Sequence, residues 1–160
     1  MAKISILMGS KSDLETVNET INVLKEFKVI FEAKVLSAHR TPKEVVKYVE
    51  AAPKGGTKIF IAAAGMSAAL AGVVASHTTL PVIGIPIETK NLKGLDSLLS
   101  TVQMPPGIPV ACMAIGKSGA KNAALFALEI LGLSDARIRV KLLNYKKQMR
   151  IRIKKTKIKV

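Results

Sequence analysis

The sequence predicts an α/β fold, a parallel sheet of about five strands with helices on both faces. Three observations carry this. Short apolar runs alternate with stretches of helical periodicity along the chain, in the order β-α-β-α-β-α-β-α-β-α. No Asn-Gly or Asp-Gly hairpin signal interrupts that order. The 160 residues, 49% hydrophobic and 22% charged, suit one domain with a substantial core and exclude a disordered chain.

The elements follow in order. Lys3–Met8 reads as a buried strand and Gly9-Ser10-Lys11 as a turn. Ser12-Asp13-Leu14-Glu15 has the form of a capping box, with Ser12 as N-cap and Glu15 as its partner. Leu14, Val17, Ile21, Leu24 and Phe27 then recur at helical spacing. Val29–Leu36 is the second strand, taken as buried. Thr41-Pro42-Lys43-Glu44 reads as another box, with Pro at the first helical position, and that helix runs to about Ala51. Lys58–Ala64 is the third strand, and a helix follows from Ser67 to about Ser76. Pro81–Ile85 is the fourth strand, Ile87–Gly94 a loop and Leu95–Val102 a short helix. Pro105, Pro106, Gly107 and Pro109 stiffen the connection to a fifth strand, Val110–Ile115. Gly116-Lys117-Ser118-Gly119 turns into an Ala-rich helix ending near Leu131. Ser134-Asp135 caps a last helix to about Met149. Residues 150–160 alternate apolar and basic side chains, a pattern compatible with a fray, a strand or a disordered tail. The division expected is a catalytic α/β domain over 1–133 and a C-terminal helix with basic tail over 134–160, within one single-domain chain.

Net charge is +14, but its distribution is uneven. Residues 1–136 hold 14 Lys and Arg against all 11 Asp and Glu, and residues 137–160 hold 11 Lys and Arg and no acid. The pI near 10.1 therefore describes a tail rather than the whole molecule. With four Phe, two Tyr and no Trp, a base-stacking nucleic-acid surface is not expected. The single cysteine, Cys112, lies in an apolar run and reads as a small core hydrophobe. One cysteine, no zinc spacing and no secretory signal at the start suit a reducing cytoplasm. Residues Ile59 to Ile87 carry no formal charge, long enough for a membrane span. Gly65, Gly72, Pro81, Gly84 and Pro86 divide that stretch, so strand, helix and strand are expected instead.

In a parallel sheet, ligands bind beyond the carboxyl ends of the strands. Three loops belong there: Gly9 to Asp13, Ser37 to Pro42 and Ala64 to Gly72. Each opens a helix whose N-terminal N–H groups favour an anion. Gly9 and Gly65 permit close backbone approach, and Ser10 and Ser67 add hydroxyl donors. Arg40 would hold an anion as a fork. His39 precedes a helix cap without capping it, and its imidazole suits proton transfer near neutral pH. His77, near a helix end, is read as structural. Gly116-Lys117-Ser118 ends like a P-loop, but Ala111 stands where the earlier glycine is required. No G-x-G-x-x-G or G-x-S-x-G motif is present.

Together, Met8-Gly9-Ser10-Lys11-Ser12-Asp13, Ser37-Ala38-His39-Arg40-Thr41-Pro42, Gly94 to Ser100, Gln103 to Val110 and Asn122-Ala123-Ala124-Leu125 closely resemble the phosphoribosylaminoimidazole carboxylase catalytic-subunit family. Its common bacterial member is N5-carboxyaminoimidazole ribonucleotide mutase. The resemblance implies a flavodoxin-like three-layer α/β/α sandwich, a cytoplasmic homo-octamer, and a role in de novo purine synthesis. Its substrate is a small ribonucleotide whose carboxylate moves from the exocyclic nitrogen to ring carbon 4 by way of CO₂, with no metal, ATP or biotin, no nucleic acid required and no membrane. By residue match, His39 is the general acid and base. Ser10, Asp13, Arg40, Ser37, Gly9, Gly65, Ser67 and Leu70 form the substrate-binding set, with Ser10 and Arg40 toward the phosphate and Asp13 toward the ribose. In the third loop Ala69 stands where the family's mutases have His and Ala71 where they have Pro. That loop is closer to relatives that carboxylate aminoimidazole ribonucleotide directly, although those typically have Lys at the position of Arg40. Direct carboxylation is therefore the alternative reading. A non-enzymatic alternative is a flavodoxin-like binding module whose basic tail contacts RNA or lipid, while an FMN flavodoxin is disfavoured by the scarcity of aromatics.

Overall fold

The computed structural model describes residues 4–157. Five strands, β1 (Ile4–Met8), β2 (Phe31–Val35), β3 (Ile59–Ala64), β4 (Val82–Pro86) and β5 (Ala111–Cys112), form one sheet in the order β2-β1-β3-β4-β5. Every pairing is parallel, with Ile4 opposite Phe31 on one side and Ile59 on the other. This is the flavodoxin-like order, whose switch point lies between β1 and β3. The helices are α1 (Leu14–Glu26), α2 (Pro42–Ala51), α3 (Leu70–Ser76), α4 (Leu95–Val102), α5 (Gly116–Gly132) and α6 (Ala136–Lys155).

Strand alternation assigns the two faces. Leu7, Phe60, Ala62 and Val82 pack in one buried cluster with Val45 and Val49 of α2 and Leu70, Ala71 and Val74 of α3. Ile4, Ile6, Ile59, Ile61, Ile83 and Ile85 alternate with them and are also buried. Right-handed crossovers put α1 on that second face, because β1 to β2 runs in the opposite direction across the sheet to the later connections. Thr20 of α1 donates a 2.7 Å hydrogen bond to the Ala120 carbonyl, which sets the start of α5 beside α1. The uncharged Ile59–Ile87 stretch is thus β3, α3 and β4, and no helix among the described residues is long and apolar enough to cross a membrane.

Several expectations shift. The cap of the first helical segment is Ser10, not Ser12. Ser10-x-x-Asp13 matches the box template as well as Ser12-x-x-Glu15 does, and the shorter Asp side chain fits the tight 3-10 turn over Lys11–Asp13. Glu15 instead pairs with Lys117 at 2.8 Å. Thr41 occupies the N-cap of α2, but its hydroxyl bonds backward to Ser37 and no second box forms. Strand β2 is a half-exposed edge, not a buried strand. Helix α3 starts at Leu70 rather than Ser67, because Met66 takes a left-handed φ of 59° and Ala68 and Ala69 turn back onto Met66 and Ser67. Strand β5 shrinks to two residues, and Cys112 there is only partly buried. Helix α6 continues to Lys155, since no Gly or Pro interrupts the Lys, Arg and Ile that follow Met149. The expected start of the first strand, Lys3, and the end of the tail, residues 158–160, lie outside the described residues.

The chain divides into two compact units, the first ending at Leu125 and the second starting at Phe126. The second holds the end of α5, a short turn and α6. There Asp135 caps α6 through Arg137 N–H at 3.0 Å, and Lys146 lies 2.9 Å from Glu129.

Gly84 shows how closely α4 sits on the sheet. A Cβ there would overlap the Thr101 methyl and crowd Val110 at 3.1 Å. Thr101 is buried and its hydroxyl is bonded to the Ser97 carbonyl at 2.7 Å, so it cannot swing aside. Gly84→Ala is expected to lower stability by about 1–3 kcal/mol, read as a reduced urea midpoint. Adding Thr101→Ser, which removes the methyl and keeps the hydroxyl, should recover part of the loss. Equal midpoints for Gly84→Ala and the parent would disprove the packing constraint.

Candidate functional site

The carboxyl ends of β1, β2, β3 and β4 open into a cavity of about 840 Å³. Four segments line it: Gly9 to Asp13 after β1, Ser37 to Arg40 after β2, Ala64 to Leu70 around the end of β3, and Ile87 to Thr89 after β4. The switch-point rule explains the place. The chain leaves β1 toward one face and β3 toward the other, and the gap between those exits cannot be filled by a crossover.

In the first segment, Ser10 and Asp13 satisfy one another. Ser10 N–H donates to Asp13 Oδ2 at 2.9 Å, and Ser10 Oγ accepts from Ser12 N–H at 3.3 Å and from the Ser12 hydroxyl at 2.9 Å. The Ser10 hydroxyl proton is left to donate elsewhere. Burial pushes the Asp13 carboxyl above its ordinary range, opposed by hydrogen bonds from Ser10, Ser12 and Gly9 and by the Arg40 charge.

The second segment is fastened from within. Thr41 Oγ1 accepts from Ser37 N–H at 2.9 Å and donates to the Ser37 carbonyl at 3.1 Å. Ser37 Oγ accepts from Arg40 N–H at 3.2 Å and from Arg40 Nε at 3.4 Å. Arg40 Nη2 then donates to the Gly9 carbonyl at 2.7 Å, tying the second segment to the first. His39 stands exposed on the cavity wall and holds no hydrogen bond or ion pair among the described residues. Its ring nitrogens are therefore open to a ligand.

The third segment crosses the floor. Met66 has positive φ, and strained positions of this kind concentrate at ligand sites. Gly65 is packed tightly: a Cβ would lie 3.1 Å from Thr89 Cγ2 and 3.5 Å from Ile87 Cβ. Ser67 is exposed at the cavity, whereas Leu70 is buried at the first turn of α3.

All nine residues singled out from the sequence, His39, Ser10, Asp13, Arg40, Ser37, Gly9, Gly65, Ser67 and Leu70, line this one cavity. His77 does not; it ends α3, 3.4 Å from Glu50. Sequence reasoning missed Glu88 and Thr89, having treated Ile87–Gly94 only as a loop. The available signal was topological: β4 neighbours β3, so the residues after Pro86 must fall beside Gly65. Thr89 is held by Asp96, whose two carboxylate oxygens accept from its hydroxyl at 3.3 Å each. Among the described residues no group of three His, Cys, Asp or Glu could hold a metal ion. The chemistry on offer is one imidazole, one guanidinium, two carboxylates and several hydroxyl and amide donors around a nucleotide-sized space.

Comparison with known proteins agrees with this geometry. The AIR carboxylase family model matches residues 3–152. The N5-carboxyaminoimidazole ribonucleotide mutase of Saccharolobus solfataricus is 50% identical, with 99% of each chain covered. That of Pyrococcus abyssi is 53% identical over 94% of this chain and 85% of its own, and that of Bacillus subtilis 52% over 82% of each. The crystal structure of Treponema denticola PurE superposes with a TM-score of 0.85 at 30% identity, over 94% of this chain and 92% of that one.

The Asp13 environment sets a pH dependence. Its folded-state pKa is raised, so the carboxyl holds its proton to higher pH in the folded chain than in the unfolded one. The charged carboxylate therefore penalises the fold above the folded-state pKa, and the penalty vanishes below the unfolded value. Asp13→Asn keeps an acceptor for Ser10 N–H and removes that charge. Its urea midpoint is expected above the parent's at pH 7, with the difference shrinking toward pH 3. A variant less stable than the parent at pH 7 would overturn this assignment.

Proposed function

The chain belongs to the AIR carboxylase family, and from that premise we propose that it is an isomerase of de novo purine synthesis. It converts N5-carboxyaminoimidazole ribonucleotide to 4-carboxyaminoimidazole ribonucleotide. The observation that carries this is the gathering of His39, Arg40, Ser10 and Asp13 on one cavity in a chain about half identical to mutases along nearly its whole length.

In this reading the phosphate lies against the Ser10 hydroxyl and the Arg40 guanidinium, and Asp13 meets the ribose. Ser37, Gly9, Gly65, Ser67 and Leu70 shape the remaining wall. Protonated His39 gives its proton to the exocyclic nitrogen as the carbamate C–N bond breaks and CO₂ departs. Ring carbon 4 then attacks the trapped CO₂, forming the new C–C bond. Neutral His39 takes the proton from carbon 4 and returns to its starting state. Holding CO₂ beside carbon 4 makes recapture effectively unimolecular. Residues 1–133 are the catalytic domain and 134–160 its accessory segment.

The same reading makes the protein a cytoplasmic homo-octamer. Self-association is supported by a stripe on α4, where Leu95, Leu99 and Val102 are each about half exposed at helical spacing. The single cysteine suits a reducing compartment. Direct carboxylation of aminoimidazole ribonucleotide is favoured by one feature, the loop Gly65-Met66-Ser67 with Ala69 and Ala71 beyond it. The many relatives named as mutases weigh against it.

His39→Asn is expected to reduce turnover at least 100-fold, with circular dichroism and assembly size unchanged; retained turnover would remove His39 from the mechanism. The parent should use the carbamate far more efficiently than aminoimidazole ribonucleotide with low bicarbonate. The reverse preference would establish the direct carboxylase.

A further inference from the structure

The cavity has two chemically different ends. Where the loops after β1 and β2 meet, the Ser10 hydroxyl and the Arg40 guanidinium are donors. The segment after β4, Ile87 to Thr89, follows a strand two places from β1 in the order β1-β3-β4, about 10 Å across the sheet. Its polar side chains are Glu88 and Thr89, and the proposed reaction uses neither.

Thr89 is fixed on both branches of its Cβ. Its methyl faces Gly65, where a Cβ would lie 3.1 Å from Thr89 Cγ2. Its hydroxyl donates to the two carboxylate oxygens of Asp96, at 3.3 Å each. Asp96 is itself held, because its Oδ1 accepts from Ser97 N–H at 2.9 Å. Ser97 Oγ lies 2.8 Å from the Ile87 carbonyl, so the first turn of α4 is tied to the exit of β4. A threonine hydroxyl has one proton and two lone pairs, and a carboxylate only accepts, so Asp96 claims that proton. Thr89 Oγ1 makes no other hydrogen bond among the described residues. What it offers a ligand is acceptor capacity alone, and the neighbouring Glu88 carboxylate offers the same. This end of the cavity suits an N–H donor and repels an anion.

We propose that Thr89 reads the exocyclic N–H of the imidazole ribonucleotide, with Asp96 as the positioning residue that keeps the Thr89 hydroxyl an acceptor. The inference rests on the mutase reading. There the carbamate nitrogen carries one N–H. Held on Thr89 Oγ1, that N–H fixes the nitrogen while His39 delivers the second proton and CO₂ leaves. The acceptors also turn the migrating carboxylate away from β4.

The test compares two probes by isothermal titration calorimetry on the full chain. One is 4-carboxyaminoimidazole ribonucleotide, and the other is the same ribonucleotide with hydrogen in place of the exocyclic amine. The parent should prefer the first by about tenfold or more. Thr89→Val removes the acceptor at nearly constant shape and should cut that preference by about fivefold or more, whereas Thr89→Ser should retain it. In Asp96→Asn the amide oxygen stays on Ser97 N–H and the amide N–H takes a Thr89 lone pair, so the preference should fall by about threefold or more. Ribose 5-phosphate, which reaches only the Ser10 and Arg40 end, should bind the parent and all variants alike. An unchanged preference in Thr89→Val or Asp96→Asn overturns the inference. So does loss of both probes and of ribose 5-phosphate together, which would mark a merely structural role. If the parent turns over the carbamate and the preferences do not follow this pattern, this inference alone falls. If the parent neither binds the product nor turns over the carbamate, the mutase reading falls and the inference with it.

Discussion

The site hangs on one hydrogen bond, from Arg40 Nη2 to the Gly9 carbonyl at 2.7 Å. It joins the loop after β1 to the loop after β2 beyond the point where the strand pairing ends, at the bond from Leu36 N–H to the Met8 carbonyl at 2.9 Å. The guanidinium does this while keeping a charge at the cavity. It spends one N–H on Gly9 and one on Ser37 Oγ, and its remaining donors are free to form a fork toward an anion. A lysine could satisfy Gly9 or an anion, but not both with fixed geometry. The Ser37–Thr41 bonds hold the arginine at the right height.

The second constraint is that Asp13 serves two purposes. As a cap partner it closes the turn that starts α1, and as a buried carboxylate it faces Arg40 across the cavity mouth. Capping fixes its position, so no side-chain freedom is lost when a ligand arrives. Gly65 does the equivalent on the other wall, where its missing side chain lets Thr89 and Ile87 close against β3. The cavity is therefore largely formed before anything enters it, apart from the exposed ring of His39.

Much of this was legible in the sequence because it depends on strand order and turn chemistry. The β-α alternation gave the sheet, and the helix Leu95–Val102 matches its expected bounds. The motifs around Gly9 and Ser37, with the Gly65 loop picked out by its place at the end of β3, supplied the nine residues expected on the cavity. What was not legible depends on tertiary competition. Two overlapping Ser-x-x-acid patterns near residue 12 are indistinguishable without the 3-10 turn that selects Ser10 and Asp13. Thr41 looks like a cap but is claimed by Ser37. The late start of α3 follows from a left-handed Met66, a conformation that nothing in the side chain announces. Glu88 and Thr89 required knowing that β4 lies next to β3. The basic end of the chain continues as helix because nothing in it breaks one.

The most direct measurement is a crystal structure of the protein with 4-carboxyaminoimidazole ribonucleotide bound. The phosphate is expected within hydrogen-bond distance of the Ser10 hydroxyl and the Arg40 guanidinium, the ribose at Asp13, and the imidazole ring beside His39. A phosphate bound away from Arg40, or a ring carbon 4 out of reach of the His39 imidazole, would contradict the proposed site.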